Sequence, residues 1–375
     1  MRTKIALIAV GVVLVAVIST IMIQRSGKEA DTIQIAGNLP LSGPVAAFSG
    51  NYPKGFLMGL DSACVTYGVD RQLFNVDFQD NAGKASQSAS VFQKHKLSGF
   101  DVYIHGTTEA SLAIVDQVDA APAPQFLVAF DAYMARRGDN RFRVLPNFKA
   151  EASLWVSYAK KRNAKRIFMI TLNMAGTEEQ FSTLIEPALH EAGIVTQRET
   201  YDFAVSDWRT LVLKSKSFNP DIIFFNGYSA PHVKPAIAAL RELNMVDNGN
   251  VMVSTDFVDL LYTDMPREEL AGIAFACPGF EITGKVEGVA EWKANYEKRY
   301  GIRPTYIEAY AYDTATLIVK ATSSANGQPL LGSIRKSLPF FGVTGEINLD
   351  QDGDVVASMT AAEVLLDGTV VNLLD

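Results

Sequence analysis

The chain reads as an α/β protein of two lobes, each a doubly wound, mainly parallel sheet with helices on both faces. Three features of the 375 residues lead there. Short continuous apolar runs of strand type recur along the chain, amphipathic helical patterns separate them, and the series restarts near Phe142-Arg143-Val144-Leu145-Pro146. Continuous apolar strands between helices mark parallel sheets covered on both faces. A restart midway divides the units between two sheets rather than one large one.

The elements follow in order. Ile33-Gln34-Ile35-Ala36 opens as a strand and ends at Pro40, Ser42, Gly43 and Pro44, where a strand cannot continue. That loop is small and rich in exposed backbone, a make-up that lets a ligand or a neighbouring backbone come close. A helical pattern resumes near Tyr52. Phe74 to Phe78 alternates apolar and polar, and Asp80-Asn81-Ala82-Gly83 turns the chain into a helix through His95. Asp101 to Gly106 is the next strand, followed by a helix over Glu109 to Asp119 and a strand over Gln125 to Phe130. After the restart, a helix begins at Glu151, and strands are expected at Arg166 to Thr171 and Val195 to Tyr201. Helices fill Thr177 to Ala192 and the residues from Asp207. Pro220 introduces Asp221 to Gly227, the clearest buried strand. A helix over Pro231 to Leu243 and strands at Val251 to Thr255 and Ile273 to Cys277 complete the series.

The first thirty residues differ. Arg2 and Lys4 precede Ile5 to Ile23, nineteen residues without charge. As a helix this segment is about 28 Å long, close to the hydrocarbon thickness of a bilayer. The basic residues before it place residues 31 onward outside the cytoplasm. Val17-Ile18-Ser19 offers a cleavage site, yet the apolar run continues past it. Two states stay open: a periplasmic or otherwise extracytoplasmic protein anchored through residues 5–23, or one secreted after signal cleavage.

The whole chain carries a net charge of −7 and its first thirty residues +3, so the remainder carries −10. An acidic domain is a poor partner for nucleic acid and for an anionic membrane surface. Cys64 and Cys277 lie 213 residues apart, each within an apolar pattern. They read as two buried small residues, with pairing open in an oxidising compartment. No cysteine or histidine spacing suits a metal, and no cofactor motif is present.

In open parallel sheets, ligands sit outside the carboxyl ends of strands. The residues expected there are Ser42, Pro44 and Phe48 after the first strand, then His105, Thr107 and Thr108, then Phe130, Asp131 and Tyr133. In the second half Met174, Tyr228 and Asp256 take the same relative place. Each set mixes small, hydroxyl or acidic, and aromatic residues, the composition of a small-molecule pocket. Catalytic signatures are missing: there is no G-x-S-x-G, P-loop, G-x-G-x-x-G after a strand, or H-E-x-x-H. A binding protein, not an enzyme, is expected.

The succession "IQIAGNLPLSGPVAAFSG", "FQDNAGKASQSAS", "DVYIHGTTEAS", "RFRVLP", "DIIFFNGYSAPHVKPAIAALRELN" and "YIEAYAYDTATLI" resembles the type I periplasmic solute-binding proteins. Within them it is most similar to the leucine/isoleucine/valine-binding and amide-binding group that serves ABC importers. The resemblance covers about residues 31 to 375. It implies a periplasmic-binding-protein-like fold whose lobes are joined by a three-crossover hinge. The N-lobe would take 32–148 plus 279–350 and the C-lobe 149–278 plus 351–375, behind an N-terminal segment, 1–31. It also implies an amino acid or amide-like ligand, delivered to a membrane permease and ATPase. The alternative is a membrane-associated sensor using the same module with a signalling partner. Carried over, Thr107 and Thr108 match the loop that holds a ligand carboxylate or amide, Tyr228 an aromatic of the second lobe, and Asp256 the acid that pairs with a ligand ammonium. Ala129-Phe130-Asp131-Ala132-Tyr133 departs from the pattern, because a carboxylate at Asp131 would repel that of an amino acid.

Overall fold

In the computed structural model the described residues are 32–120, 122–130, 140–263, 265–282, 286–325, 327–350, 354–356 and 359–373. The apolar segment 5–23 and the site candidates Asp131 and Tyr133 lie outside them. Among the described residues no helix is long and apolar enough to cross a membrane.

The first sheet contains β1 (Ile33–Leu39), β2 (Phe74–Asp80), β3 (Val102–Gly106), β4 (Gln125–Val128) and β5 (Arg141–Phe142), in the order β2-β1-β3-β4-β5. Every pairing in it is parallel. The second sheet contains β6 (Arg166–Leu172), β7 (Val195–Tyr201), β8 (Ile222–Phe225), β9 (Val251–Val253) and β10 (Ile273–Pro278), all parallel. A hairpin, β11 (Phe340–Gly342) with β12 (Gly345–Ile347), stands apart. Finally β13 (Met359–Val364) and β14 (Val370–Asn372) join antiparallel beside β10, giving the order β14-β13-β10-β9-β8-β6-β7.

Parallel strands buried on both faces must be apolar throughout, and β8, Ile222-Ile223-Phe224-Phe225, is buried at every position. The residues of the sheet and of the helices that cover it sort into two cores, one on each face. Phe168, Ile223 and Phe225 belong to one, and Trp155, Ile167 and Phe224 to the other. The first sheet packs against the helices Tyr52–Tyr67, Val289–Tyr300 and Tyr306–Ser324. Two of these approach unusually closely. A Cβ on Gly55 or Gly59 would lie 2.3 Å from the carbonyl oxygen of Glu308 or 2.4 Å from that of Tyr312, so only glycine fits.

The chain therefore passes between the sheets three times. It leaves the first after β5 for the helix Phe148–Lys161, whose Trp155 is buried in the second lobe. It returns after β10, where Phe280 joins the first core, and crosses again between β12 and β13. A buried ion pair ties two of these passages: Asp354 accepts from Arg143 Nε at 2.6 Å and Nη2 at 2.9 Å, and from Asn147 Nδ2 at 2.7 Å. Asn147 also caps the helix Phe148–Lys161 through bonds from the Lys149 and Ala150 amides.

Three sequence expectations shift. The helix over 109–119 is two helices, Thr108–Leu112 and Val115–Asp119, because Ile114 turns inward against Phe92, Tyr103 and Val118. The strand over 251–255 stops at Val253, and Thr255–Tyr262 coils as a 3₁₀ helix that buries Phe257 and Val258. The helix over 177–192 starts at Ala175 and widens into a π-type turn over Gln180–Ile185. Cys64 and Cys277 are both buried and free, in different cores.

Candidate functional site

Strand order makes a crevice where connections part to opposite sides of a sheet. In the first sheet that point lies between β1 and β3, and in the second between β6 and β8. The carboxyl ends of both sheets face one cavity of about 70 Å³. That is room for several waters or a small organic molecule.

From the first sheet, Thr107 and Thr108 follow β3, and Ala129 and Phe130 follow β4. Phe48 comes from the loop after β1. From the second, Met174, Gly176 and Thr177 follow β6, Asn226, Gly227 and Tyr228 follow β8, and Ser254, Thr255 and Asp256 follow β9. Glu109, Val128, Phe148, Glu151 and Tyr306 complete the wall.

Aromatic rings form a continuous row through this space. Phe48 lies 5.2 Å from Phe130 and 6.2 Å from Tyr228, and Phe130 stacks on Phe148 at 5.4 Å. The Tyr228 hydroxyl donates to the Val45 carbonyl at 3.3 Å, joining the second lobe to the loop after β1. The small residues of that loop thus serve a close approach between lobes, with Val45 offering bare backbone.

The polar groups of the second lobe are held in place before any ligand arrives. Glu151, buried in the first turn of its helix, accepts at Oε1 from the Thr255 amide and hydroxyl, both at 3.0 Å, and at Oε2 from Gln180 Nε2 at 2.9 Å. Ser254 Oγ accepts from the Gly227 amide at 3.0 Å and lies 2.9 Å from its carbonyl, to which it donates. Burial first, and then the Asp256 and Glu109 carboxylates, push the Tyr228 phenol well above its ordinary value. Tyr306 moves the same way, through burial and then Asp256, Asp259 and Glu151. Both phenols stay protonated, and Tyr228 gives its one proton to the Val45 carbonyl. Asp259, behind the wall, is also pushed well up by burial and by its acidic neighbours Asp256, Glu308 and Glu281.

Of the residues singled out in the sequence, Thr107, Thr108, Phe130, Tyr228, Asp256, Phe48 and Met174 line the cavity. Ser42, Pro44 and His105 do not. Ser42 is exposed and bonds to Asp80, and Pro44 is exposed on the loop's outer side. His105 points into the first lobe, where Nε2 meets Gln125 Oε1 at 2.6 Å and the ring stacks on Tyr103. Burial pushes its pKa down to about 4, so it is neutral. Among the described residues no cluster of histidine, cysteine, aspartate or glutamate is arranged to hold a metal. The sequence pattern alone did not single out Glu109, Glu151, Asn226 or Tyr306. Asn226 follows the β8 strand directly, so the strand-end rule applied to it; Tyr306 arrives from a distant segment and carries no local signal.

Two lobes of parallel sheet with a lined cavity at their facing strand ends define a ligand-binding protein. The chain belongs to the Periplasmic binding protein family, whose sequence profile matches residues 32–369. The family is one of binding proteins, not enzymes. A curated relative, Leu/Ile/Val-binding protein homolog 3 of Brucella melitensis, is 23% identical over 197 residues, 51% of this chain. The match spans only 53% of that protein's length. The structure is similar to that of the branched-chain amino acid transporter substrate binding protein LivJ of Streptococcus pneumoniae in complex with isoleucine. Its TM-score is 0.76 at 23% identity, over 91% of this chain and 99% of that one. It is also similar to a solute binding protein of an ABC transporter from Rhodopseudomonas palustris in complex with 3,4-dihydroxy benzoic acid. There the TM-score is 0.78 at 19% identity, over 91% and 96%. The chain shares the type I two-lobed fold with both of these structures.

Proposed function

We propose that the protein is an extracytoplasmic solute-binding protein that captures a small polar organic ligand, amino acid or amide-like, between its lobes. It then delivers that ligand to an ABC importer with a membrane permease and an ATPase. One observation carries the reading: residues from the carboxyl ends of both sheets line a single cavity of hydroxyl, carboxylate and aromatic groups. A ligand there touches both lobes at once, and so favours the closed arrangement over an open one. In this reading the N-lobe takes 32–148 and 279–350 and the C-lobe 149–278 and 351–375. Thr107, Thr108, Phe130, Tyr228 and Asp256 contact the ligand.

Thermal-shift screening against amino acids, amides, amines and a metabolite extract tests it. A saturating ligand at a hundred times its Kd adds about 3 kcal/mol to stability, a clear shift in melting temperature. Small-angle scattering should show the particle contracting with the same ligand. No stabilising compound in the screen and the extract would refute the proposal.

A further inference from the structure

Resting on that reading, we infer that Tyr262 is a positioning residue for ligand capture. It does not line the cavity. It fastens the short helix that carries Thr255 and Asp256 to the first lobe once a ligand has drawn the lobes together.

The helix Thr255–Tyr262 is built for this. It is a 3₁₀ helix of eight residues, longer than such helices usually run, and at three residues per turn its side chains align at every third position. Phe257, Val258, Leu260 and Leu261 are buried in the second core. Asp256, Asp259 and Tyr262 are half-buried and stand in one line along the remaining side. The line begins at the cavity, which Asp256 helps to wall, and ends outside it at Tyr262. Asp259 Oδ1, between them, is buried and accepts no hydrogen bond, which leaves the fastening to Tyr262.

At that end the first lobe supplies the partners. The Tyr262 hydroxyl donates to Glu281 Oε2 at 3.0 Å, and Lys293 Nζ donates to the same oxygen at 2.6 Å. Glu281 follows Phe280 of the first core, and Lys293 is on the helix Val289–Tyr300 that packs on the first sheet. The Glu281 side chain is only 1% exposed, so its bond with Tyr262 is charge-assisted and shielded from water. Lys293 Nζ lies 5.3 Å from the centre of the Tyr262 ring and Arg303 Cζ 6.0 Å, cation–π contacts from the same lobe. Burial and then Glu281 push the phenol up, so it keeps the proton that it donates. Tyr262 thus joins the lobes away from the cavity, on the helix that reaches into it.

Tyr262→Phe keeps the ring and removes only the hydroxyl bond. The test is dissociation after dilution, followed by tryptophan fluorescence, with leucine, glutamine, butyramide and the most stabilising fraction of a metabolite extract as probes. The variant should release every probe that binds the parent protein about tenfold faster, the worth of a hydrogen bond to a charged group. Association rates for the pure probes, and the melting temperature without a probe, should stay as in the parent. A variant that releases the probes at the parent rate overturns the inference and leaves the solute-binding reading intact. So does one that loses as much melting temperature without a probe as with it, since Tyr262 would then serve only the fold. Silence from every probe with the parent protein overturns the broader reading, and the inference falls with it.

Discussion

Removing the Asp354 carboxylate should cost about 3–5 kcal/mol of folding stability, the range for breaking one side of a buried ion pair. The setting justifies the upper class of effect. Arg143 has no exposed side-chain surface and Asp354 only 5%, so solvent cannot replace the lost partner. Asp354→Ala removes both acceptors of the Arg143 fork and the acceptor for Asn147 Nδ2, the side chain that caps the helix Phe148–Lys161. The Ala129 carbonyl, 3.0 Å from Arg143 Nη1, remains but is neutral. Urea unfolding followed by tryptophan fluorescence measures the cost, with Trp292 reporting on the first lobe and Trp155 and Trp208 on the second. A double variant, Arg143→Met with Asp354→Leu, should lose less than Asp354→Ala alone, because no charge is left stranded. A single-variant cost below about 1 kcal/mol, as for an exposed pair, would refute the reasoning, and so would a double variant as unstable as the two single losses combined.

Other perturbations test other parts of the molecule. Gly59→Ala should destabilise by about 1–3 kcal/mol through overpacking against the helix Tyr306–Ser324; urea unfolding with no loss would mean that the two helices can separate freely. Tyr228→Phe keeps the ring row and removes the bond to Val45, so ligand affinity by calorimetry should fall about fivefold, the equivalent of one neutral hydrogen bond. Unchanged affinity would show that the bond does not favour the ligand-bound arrangement. Burial raises the Asp313 carboxyl from an ordinary 3.8 to about 6, although bonds from Val343 and Thr344 hold it down. Because the folded value is the higher one, its contribution to stability is full below pH 3.8 and is lost as pH rises through 6, about 3 kcal/mol in all. Asp313→Asn should remove that slope, so the parent protein should lose ground to the variant between pH 4 and 6 in denaturant titrations. Parallel profiles would refute the assignment.

The parts of the fold that were legible are those whose physics is local. A parallel strand buried on both faces has to be apolar at every position, so Ile222 to Phe225 announces itself. A helix capped by Asp207 does the same, because the cap bonds a backbone amide three residues on. The break at Ala113 and Ile114 was not legible, since either a continuous helix or two short ones satisfies that apolar spacing. Only the pocket formed by Phe92 and Tyr103 chooses between them. Arg143 and Asp354 are 211 residues apart and share no pattern. Their pairing depends on where the third crossing brings the chain back.

The site divides along the same line. A rule about strand ends needs only the order of strands, so Thr107, Phe130, Tyr228 and Asp256 can be chosen from the amino-acid sequence alone. The same rule chooses Ser42 and His105, because it says where a chain segment ends and not which way each side chain turns. His105 is on the strand itself and turns to Gln125, inside the lobe. Glu109 escapes for the opposite reason. An acid in the first turn of a helix is an ordinary companion of the helix dipole, so "GTTEAS" offers no reason to treat it as part of a binding surface. In the folded chain Glu109 lines the cavity, with one buried oxygen that accepts no hydrogen bond. The charge balance of a cavity is a property of all its walls at once. Those walls here come from stretches as far apart as Phe48 and Tyr306, and that is why the make-up of the cavity becomes readable only after folding.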